Sequence, residues 1–491
     1  MNKLFLMCSL TAIVAIAKAQ DYTDAVRYTE RFNIGDARYS GMGGAFSALG
    51  NNHSAILDNP ASIGVFSDQS YEFSLNTGTN LNKTTFLGQM QSNRINSFSG
   101  NVGLLYKIDL PENELQAKYL NFSYTCNRVN DFAMKNGFDV YNKTSSMTDE
   151  LLGRIETGYE NSVTSDAKYT QLIYQDNLNR YVSDFIKYDA SGNKTYGPYG
   201  LNQNQSLTTT GRINENSFGM GTNFGNRVYV GLSLNVSNSE YVYSEKYTET
   251  DSKDVNPSFQ SFTMYKDWTD KGRGYGYKIG LIAIPVKDLR VAVAYHSPTY
   301  WYFNNTYKTD MDFSYTQNDT NKSVYTNNYD LESKYQLFSP SKLVLGMAYT
   351  YKKTLILSAD YEYQKYSNAL LSSSDNSTNY DIDNTEITKM TRIVNNIKFG
   401  TELRIGVMSL RAGAGFYQSP YSMDKASFGD YRVSYSGGIG LKDENFYIDL
   451  AVVNSSTPSY RYVYTDYFGN TLYSKTKTNT TNVVLTLGLK Y

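Results

Sequence analysis

From Ser70 to Tyr491 the chain repeats one pattern, apolar residues at every second position followed by a break. Such alternation marks strands whose two faces meet different surroundings. Fourteen strands are predicted: Ser70–Thr79, Ser97–Lys107, Lys118–Asn130, Ile213–Phe224, Arg227–Tyr241, Gly274–Ile284, Leu289–Tyr302, Ser341–Tyr351, Thr354–Tyr366, Arg392–Ile405, Met408–Gln418, Tyr431–Leu441, Asn445–Val453 and Thr481–Tyr491. In Arg227–Tyr241 one face reads Val228, Val230, Leu232, Leu234, Val236, and the other Tyr229, Gly231, Ser233, Asn235. Tight turns (Gly225-Asn226, Pro285–Asp288, Lys352-Lys353, Gly406-Val407, Lys442–Glu444) alternate with long connections at 131–212, 242–273, 303–340, 367–391, 419–430 and 454–480. An even strand count, an apolar face against a small or polar one, and short turns alternating with long loops predict an all-β fold. It is a 14-stranded antiparallel transmembrane β-barrel.

The stretch before the first strand is different. Gly41–Phe66 is rich in small residues, carries Asn59-Pro60-Ala61, and does not alternate. Gly35, Gly41, Gly43, Gly44 and Gly50 permit tight turns and close backbone approach. A short helix is expected over Asp24–Phe32 and one helical turn over Ser54–Leu57, stopped by Asn59-Pro60. A segment this small cannot build its own core, so residues 20–68 are expected to pack inside the barrel as a hatch. Ahead of it, Lys3, the apolar run Leu4–Ala17 and Ala17-Lys18-Ala19 form a signal peptide over residues 1–19. The apolar run is about 14 residues, short of the roughly 20 needed to span a bilayer. The expected location is the outer membrane of a Gram-negative bacterium, with both termini periplasmic.

Composition narrows the classes. The net charge is −1, which gives no basic field for nucleic acid. The 47 tyrosines suit strands between two solvents. Mean hydropathy is −0.49, which disfavours helical spans but not a barrel, whose strands are apolar only at alternate positions. Beyond the signal, Cys126 stands alone, so no disulfide framework is expected. The long connection 131–212 has helical spacing over Met147–Tyr159 and Tyr169–Tyr188. Leu151, Leu152 and Ile155 form one stripe, and Leu172, Ile173, Tyr181, Val182, Phe185 and Ile186 another. These helices either pack on each other over the mouth or offer an apolar capture groove. The connection 367–391 is polar and is expected to be a mobile loop.

At the N-terminus Gly35-Asp36-Ala37-Arg38, Gly41-Met42-Gly43-Gly44-Ala45-Phe46 and Asn59-Pro60-Ala61 together resemble the signature of the FadL/TodX family. The block covers about 30 residues. Ser62-Ile63-Gly64 follows the triplet where the family often has Gly directly, a small departure. The resemblance implies an outer-membrane channel for long-chain fatty acids and other hydrophobic compounds, with a hatch inside a fourteen-stranded barrel. Some FadL-like barrels instead act as partners in protein secretion and surface attachment, which keeps a secreted protein open as partner. The C-terminal VVLTLGLKY resembles the signal read by the outer-membrane barrel assembly machinery. Outer-membrane lipid is the remaining expected partner.

No HExxH, GxSxG or Walker loop is present, so the expectation is no enzyme, no metal site and no cofactor. A lipid hydrolase at the rim would need a Ser and His that the sequence does not pair. GMGGAF does not follow a strand in a βαβ unit and is no nucleotide loop. His53 falls in the hatch turn, and His296 in the inward register near the outer rim. Either would be needed as an axial ligand for haem, and a structural role fits both better. The inward face also carries Lys278, Arg290, Asp360, Glu362, Lys398, Glu402, Arg404, Arg411, Arg432 and Asp449. They form either a ladder of acids and bases paired across strands or, at an unpaired Arg, an anchor for a ligand carboxylate. Arg404, Arg411 and Arg432, on three consecutive strands, are the candidates for that anchor.

Overall fold

The computed structural model describes residues 21–491 apart from 33, 112–115, 151–185, 189, 192–193, 198, 257, 318–319, 327–330, 375–377 and 423–430. Fourteen strands form the wall: β1 (Ser70–Phe86), β2 (Gln89–Asp109), β3 (Tyr119–Asp131), β4 (Leu201–Phe224), β5 (Val228–Thr250), β6 (Phe259–Val286), β7 (Leu289–His296), β8 (Lys342–Tyr351), β9 (Leu355–Lys365), β10 (Ile393–Ile405), β11 (Met408–Gln418), β12 (Tyr431–Lys442), β13 (Phe446–Thr465) and β14 (Thr471–Lys490). Each pairs antiparallel with its chain neighbour, and β1 pairs with β14 from Ser70↔Lys490 onward, which closes the ring. All fourteen expected strands are present. The first and last strands begin and end at one rim, Ser70 opposite Lys490, and that rim carries the tight turns, where Gly225, Asn226, Asp288, Lys352, Lys353 and Gly406 take the left-handed backbone conformation that such turns need.

Several expected loops are strand. The connections at 242–273 and 454–480 continue β5–β6 and β13–β14 outward as paired hairpins. Residues 80–96, expected between the first two strands, form a hairpin that turns at Leu87-Gly88. Tyr300–Gln317 and Leu331–Phe338 extend β7 and β8 beyond a break at 297–299 and 339–341. The 28 residues of β6 have a contour of roughly 90 Å, far more than a bilayer core requires. The reason lies in the side chains of β5. At residues 228–236 apolar residues face out and Gly231, Ser233 and Asn235 face in. From Tyr241 the inward positions become Tyr241, Tyr243 and Tyr247, all buried, with Glu245 and Glu249 accepting from the Tyr243 and Tyr247 hydroxyls, while Ser244, Lys246 and Thr248 face out. The strand keeps its period and inverts its polarity. A reading that follows apolar residues loses the strand where its apolar face turns inward. Phe86, Phe138, Tyr247, Phe259, Phe262 and Phe313 converge there on a buried aromatic core inside the outer hairpins.

The connection 367–391 also differs from expectation. Asp381–Met390 is a helix whose Ile387 is buried, with Tyr380, against the N-terminal helix and the aromatic side chains of the wall. In 131–212, Met134–Asn142 is a strand on β4, and Ile186–Tyr188 pairs with Lys194–Tyr196 rather than ending a helix. Met147–Glu150 is helical. The stripe residues Leu151, Leu152, Ile155, Leu172, Ile173, Tyr181, Val182 and Phe185 lie outside the described residues.

The N-terminal segment touches inward-facing groups around most of the ring. Its helix α1 (Tyr22–Thr29) is two to three residues shifted from expectation and starts in a capping box of Asp21 and Asp24. Tyr28 packs on Phe303, with ring centroids 4.2 Å apart, and donates to Asp270 at 2.5 Å. Helix α2 (Ala37–Gly41) follows, then two 3-10 turns, Ser54–Leu57 and Pro60–Val65.

The wall is not uniformly zipped. β2 pairs with β3 only from Val102↔Cys126 to Asp109↔Tyr119, so its residues Gln89–Asn101 pair with β1 alone. On the other side, β3 bulges between Arg128 and Asn130 and follows β4. The Arg128 side chain of β3 bridges the divide: its Nη1 donates to the Phe98 carbonyl of β2 at 2.8 Å, and is held by Asp131 of its own strand at 3.0 Å.

Candidate functional site: a charged chamber inside the barrel

The motifs in the N-terminal segment each have a mechanical task. Asp36 caps α2 by accepting from the Tyr39 amide at 2.9 Å. Arg38 makes a two-pronged contact with Glu402 of β10, at 2.8 and 3.1 Å. Gly43 has φ +64 and lies so close to β11 that a side chain there would meet the Ala414 amide nitrogen at 2.9 Å. Ser436 of β12 binds both sides of the turn, donating to the Gly41 carbonyl at 3.1 Å and accepting from the Gly43 amide at 3.0 Å. The Gly44 carbonyl accepts from Lys398 at 3.3 Å. Asp360 of β9 accepts from the amides of Phe46 and Ser47 at 3.0 and 2.9 Å and from the Ser47 hydroxyl at 2.6 Å.

Asn59-Pro60-Ala61 is a rigid corner. Asn59 caps the 3-10 turn by accepting from the Ala61 amide at 3.0 Å, and its amide group donates to the carbonyls of Ser47 at 2.8 Å and Leu281 at 3.3 Å. Pro60 follows at the first helical position, where its missing N–H costs nothing. The corner rests on glycines of the wall: a Cβ on Gly231 would run into the Pro60 carbonyl, and one on Gly280 into the Asn59 amide oxygen.

Above this layer is a chamber of about 260 Å³. Its walls are residues of β4 to β13, and the chain after α1 (Glu30, Arg31, Phe32) forms one side. Two charge clusters line it and close on themselves. Glu215 of β4 is held by Lys278 at 2.5 Å and by Arg31. Glu362 of β9 takes Lys398 at 2.7 Å and Lys342 at 3.5 Å, and Lys398 also reaches Asp58 at 3.1 Å. Buried charges are tolerable when each has such partners.

The three expected anchor arginines fall in two places. Arg411 is buried between Glu402 at 2.7 Å and Asp449 at 2.5 Å. Arg404 reaches the same Glu402 at 2.8 Å with its side chain 42% exposed near the terminal rim. Neither lines the chamber. Arg432 does. Its guanidinium lies 4.0 Å from the ring centres of both Phe32 and Tyr417, and its Nε has no hydrogen-bond partner. Glu30 also faces the chamber. Burial pushes its carboxyl up to about 7, against the pull of Arg432. Of the remaining inward charges, Arg290 donates to the Leu49 carbonyl.

Both histidines are held by hydrogen bonds. His53 Nε2 pairs with the Ser70 hydroxyl at 3.0 Å, and burial holds its ring down at about 3. His296 Nε2 meets the Asp58 carbonyl at 2.8 Å. His296 therefore sits at the level of the N-terminal segment rather than near the outer rim, because the wall continues outward through Tyr300–Gln317. Glu30, Arg31, Phe32, Glu215 and Tyr417 escape the sequence reading of the site. Glu215 and Tyr417 share the inward register of their strands, so a survey of every inward residue would have reached them. Nothing in the polar segment 20–38 points to Glu30 or Phe32.

No protein-family model matches the chain, and no curated protein matches its sequence. Solved structures do match its shape. A FadL homologue from Pseudomonas aeruginosa superposes with a TM-score of 0.56 at 12% identity, over 94% of this chain and 99% of that one. The toluene transporter TodX of P. putida gives 0.53 at 12% identity, over 94% and 99%. The toluene transporter TbuX of Ralstonia pickettii gives 0.50 at 14% identity, over 94% and 98%. The chain has the fold of the FadL and TodX channels. In this FadL-type barrel the glycine motif and the Asn-Pro-Ala corner clamp the N-terminal segment, and the chamber lies between that clamp and α1.

Proposed function

We propose that the protein is an outer-membrane channel of the FadL/TodX family that lets hydrophobic compounds, fatty acid-like molecules among them, pass by diffusion, without catalysis. Residues 1–19 are a cleaved signal, residues 20–68 a hatch, and residues 69–491 the barrel, with both termini periplasmic. One observation carries this reading: a closed ring of fourteen strands, apolar outside, is clamped from within by its own N-terminal segment, with a chamber left beside it. The belt of outward Tyr, Phe, Leu and Val side chains is what a lipid-facing wall requires. Polar backbone in that zone has to be satisfied within the wall, which the closed ring achieves except along the open part of the β2–β3 seam.

A compound would reach the chamber from the outer side, and a shift of the hatch would free it. The incomplete β2–β3 pairing beyond Val102 supports a sideways exit into the membrane, which spares an apolar molecule a water-filled path. Liposomes carrying the purified protein should take up labelled fatty acid faster than empty liposomes. Equal rates would remove the fatty-acid version of this reading.

A further inference from the structure

The chamber is poorly suited to a plain hydrocarbon. Val394 is the only aliphatic side chain, proline apart, among the described residues that line it; Leu, Ile and Met are absent. Its apolar surface is aromatic. Four basic side chains face it against three carboxylates, a net positive balance with histidine neutral. Glu215 and Glu362 are already held by lysines. Arg432 is in none of the ion pairs found among the described residues. The centres of the Phe32 and Tyr417 rings each lie 4.0 Å from its guanidinium carbon, and its Nε–H has no hydrogen-bond partner, which leaves that group for a ligand. A flat guanidinium fork fits a carboxylate in its own plane. The size is restrictive too: a cavity of about 150 Å³ holds benzene, so 260 Å³ fits one or two rings and not an extended long chain.

Resting on the channel reading above, we propose that the chamber binds a compact aromatic acid, one or two rings bearing a single carboxylate. The Arg432 edge takes the carboxylate, and the ring lies among the tyrosines. Glu30 is the negative group beside that anchor and opposes a bound anion whenever it is ionised.

Titration calorimetry on the full mature chain in lipid nanodiscs, with 2-naphthoate as probe, tests this. Naphthoate should bind one to one, and neither toluene nor palmitate should displace it. Arg432→Gln should weaken binding about ten- to hundredfold, and Arg432→Lys should restore only part, because an ammonium lacks the fork. Glu30→Gln at pH 8 should tighten binding severalfold, and it decides the matter if the Arg432 variants do not fold. Palmitate or toluene competing on equal terms, unchanged affinity in Arg432→Gln, or weaker binding in Glu30→Gln would overturn the proposal. Naphthoate flux into liposomes reports separately: binding without flux leaves the site standing and removes the channel.

Discussion

Asp360 offers the sharpest test of how the N-terminal segment is held. Its carboxylate, 1% exposed, receives the Phe46 and Ser47 amides and the Ser47 hydroxyl. Asp360→Ala leaves all three donors buried without an acceptor. Hydrogen bonds to a charged group contribute about 1.5–3 kcal/mol each. Since the three act on one turn they do not add in full, and about 4 kcal/mol is a fair total. At 1.4 kcal/mol per factor of ten, the opening equilibrium of this turn rises on the order of a thousandfold. Asp360→Asn keeps one acceptor oxygen for the two amides and should cost about 1 kcal/mol. Hydrogen exchange at the Phe46–Leu49 amides reads the local opening, and planar-bilayer conductance reads the leak. The alanine variant should exchange faster in that turn and conduct small ions, while the barrel keeps its heat-resistant mobility on gels. Protection within tenfold of the parent in Asp360→Ala would refute the assignment of Asp360 as the clamp.

Gly280→Val should push the Asn59 corner off β6 and produce a similar leak in the same conductance assay. Glu402→Ala removes the carboxylate that holds the partly buried Arg38 and one of the two that hold Arg411, and should cost about 3 kcal/mol, whereas Arg404→Ala, at a partly exposed pair, should change thermal stability by less than about 1 kcal/mol. The buried neutral His53 favours the packed N-terminal segment above its ordinary value of 6.5. That contribution falls as pH drops from 6.5 toward 3. Exchange at residues 52–57 should therefore speed up in acid, and His53→Gln should flatten the dependence. Deleting Gln20–Ser67 should leave a barrel that inserts but leaks small polar solutes in a liposome-swelling assay; a tight barrel would show that the segment does not seal the lumen.

Much of the architecture was legible because alternation is local. Val228 to Val236 states its register without help from the rest of the chain, and the same holds for Val483 to Tyr491. The tight turns were legible for the same reason. Strand ends were less so. Tyr241, Tyr243 and Tyr247 keep the period of β5 but face inward, and only the surrounding core tells which solvent each face meets. The helix Asp381–Met390 was hidden because its mean polarity is that of a loop; burial of Ile387 and Tyr380 against the N-terminal helix makes it ordered.

The candidate site divides in the same way. The sequence by itself determined the strand number, the inward register of Arg404, Arg411 and Arg432, and a glycine-rich segment too small to stand alone. It could not separate the three arginines, because a partner across the lumen is tens to hundreds of residues away in the chain. Arg38 and Asp449 occupy Arg411 through Glu402 and directly, and Phe32, from the polar start of the chain, covers one face of Arg432. Register is set by neighbours two residues apart, while pairing is set by closure of the whole ring around the N-terminal segment, so only the tertiary structure decided which arginine faces the chamber.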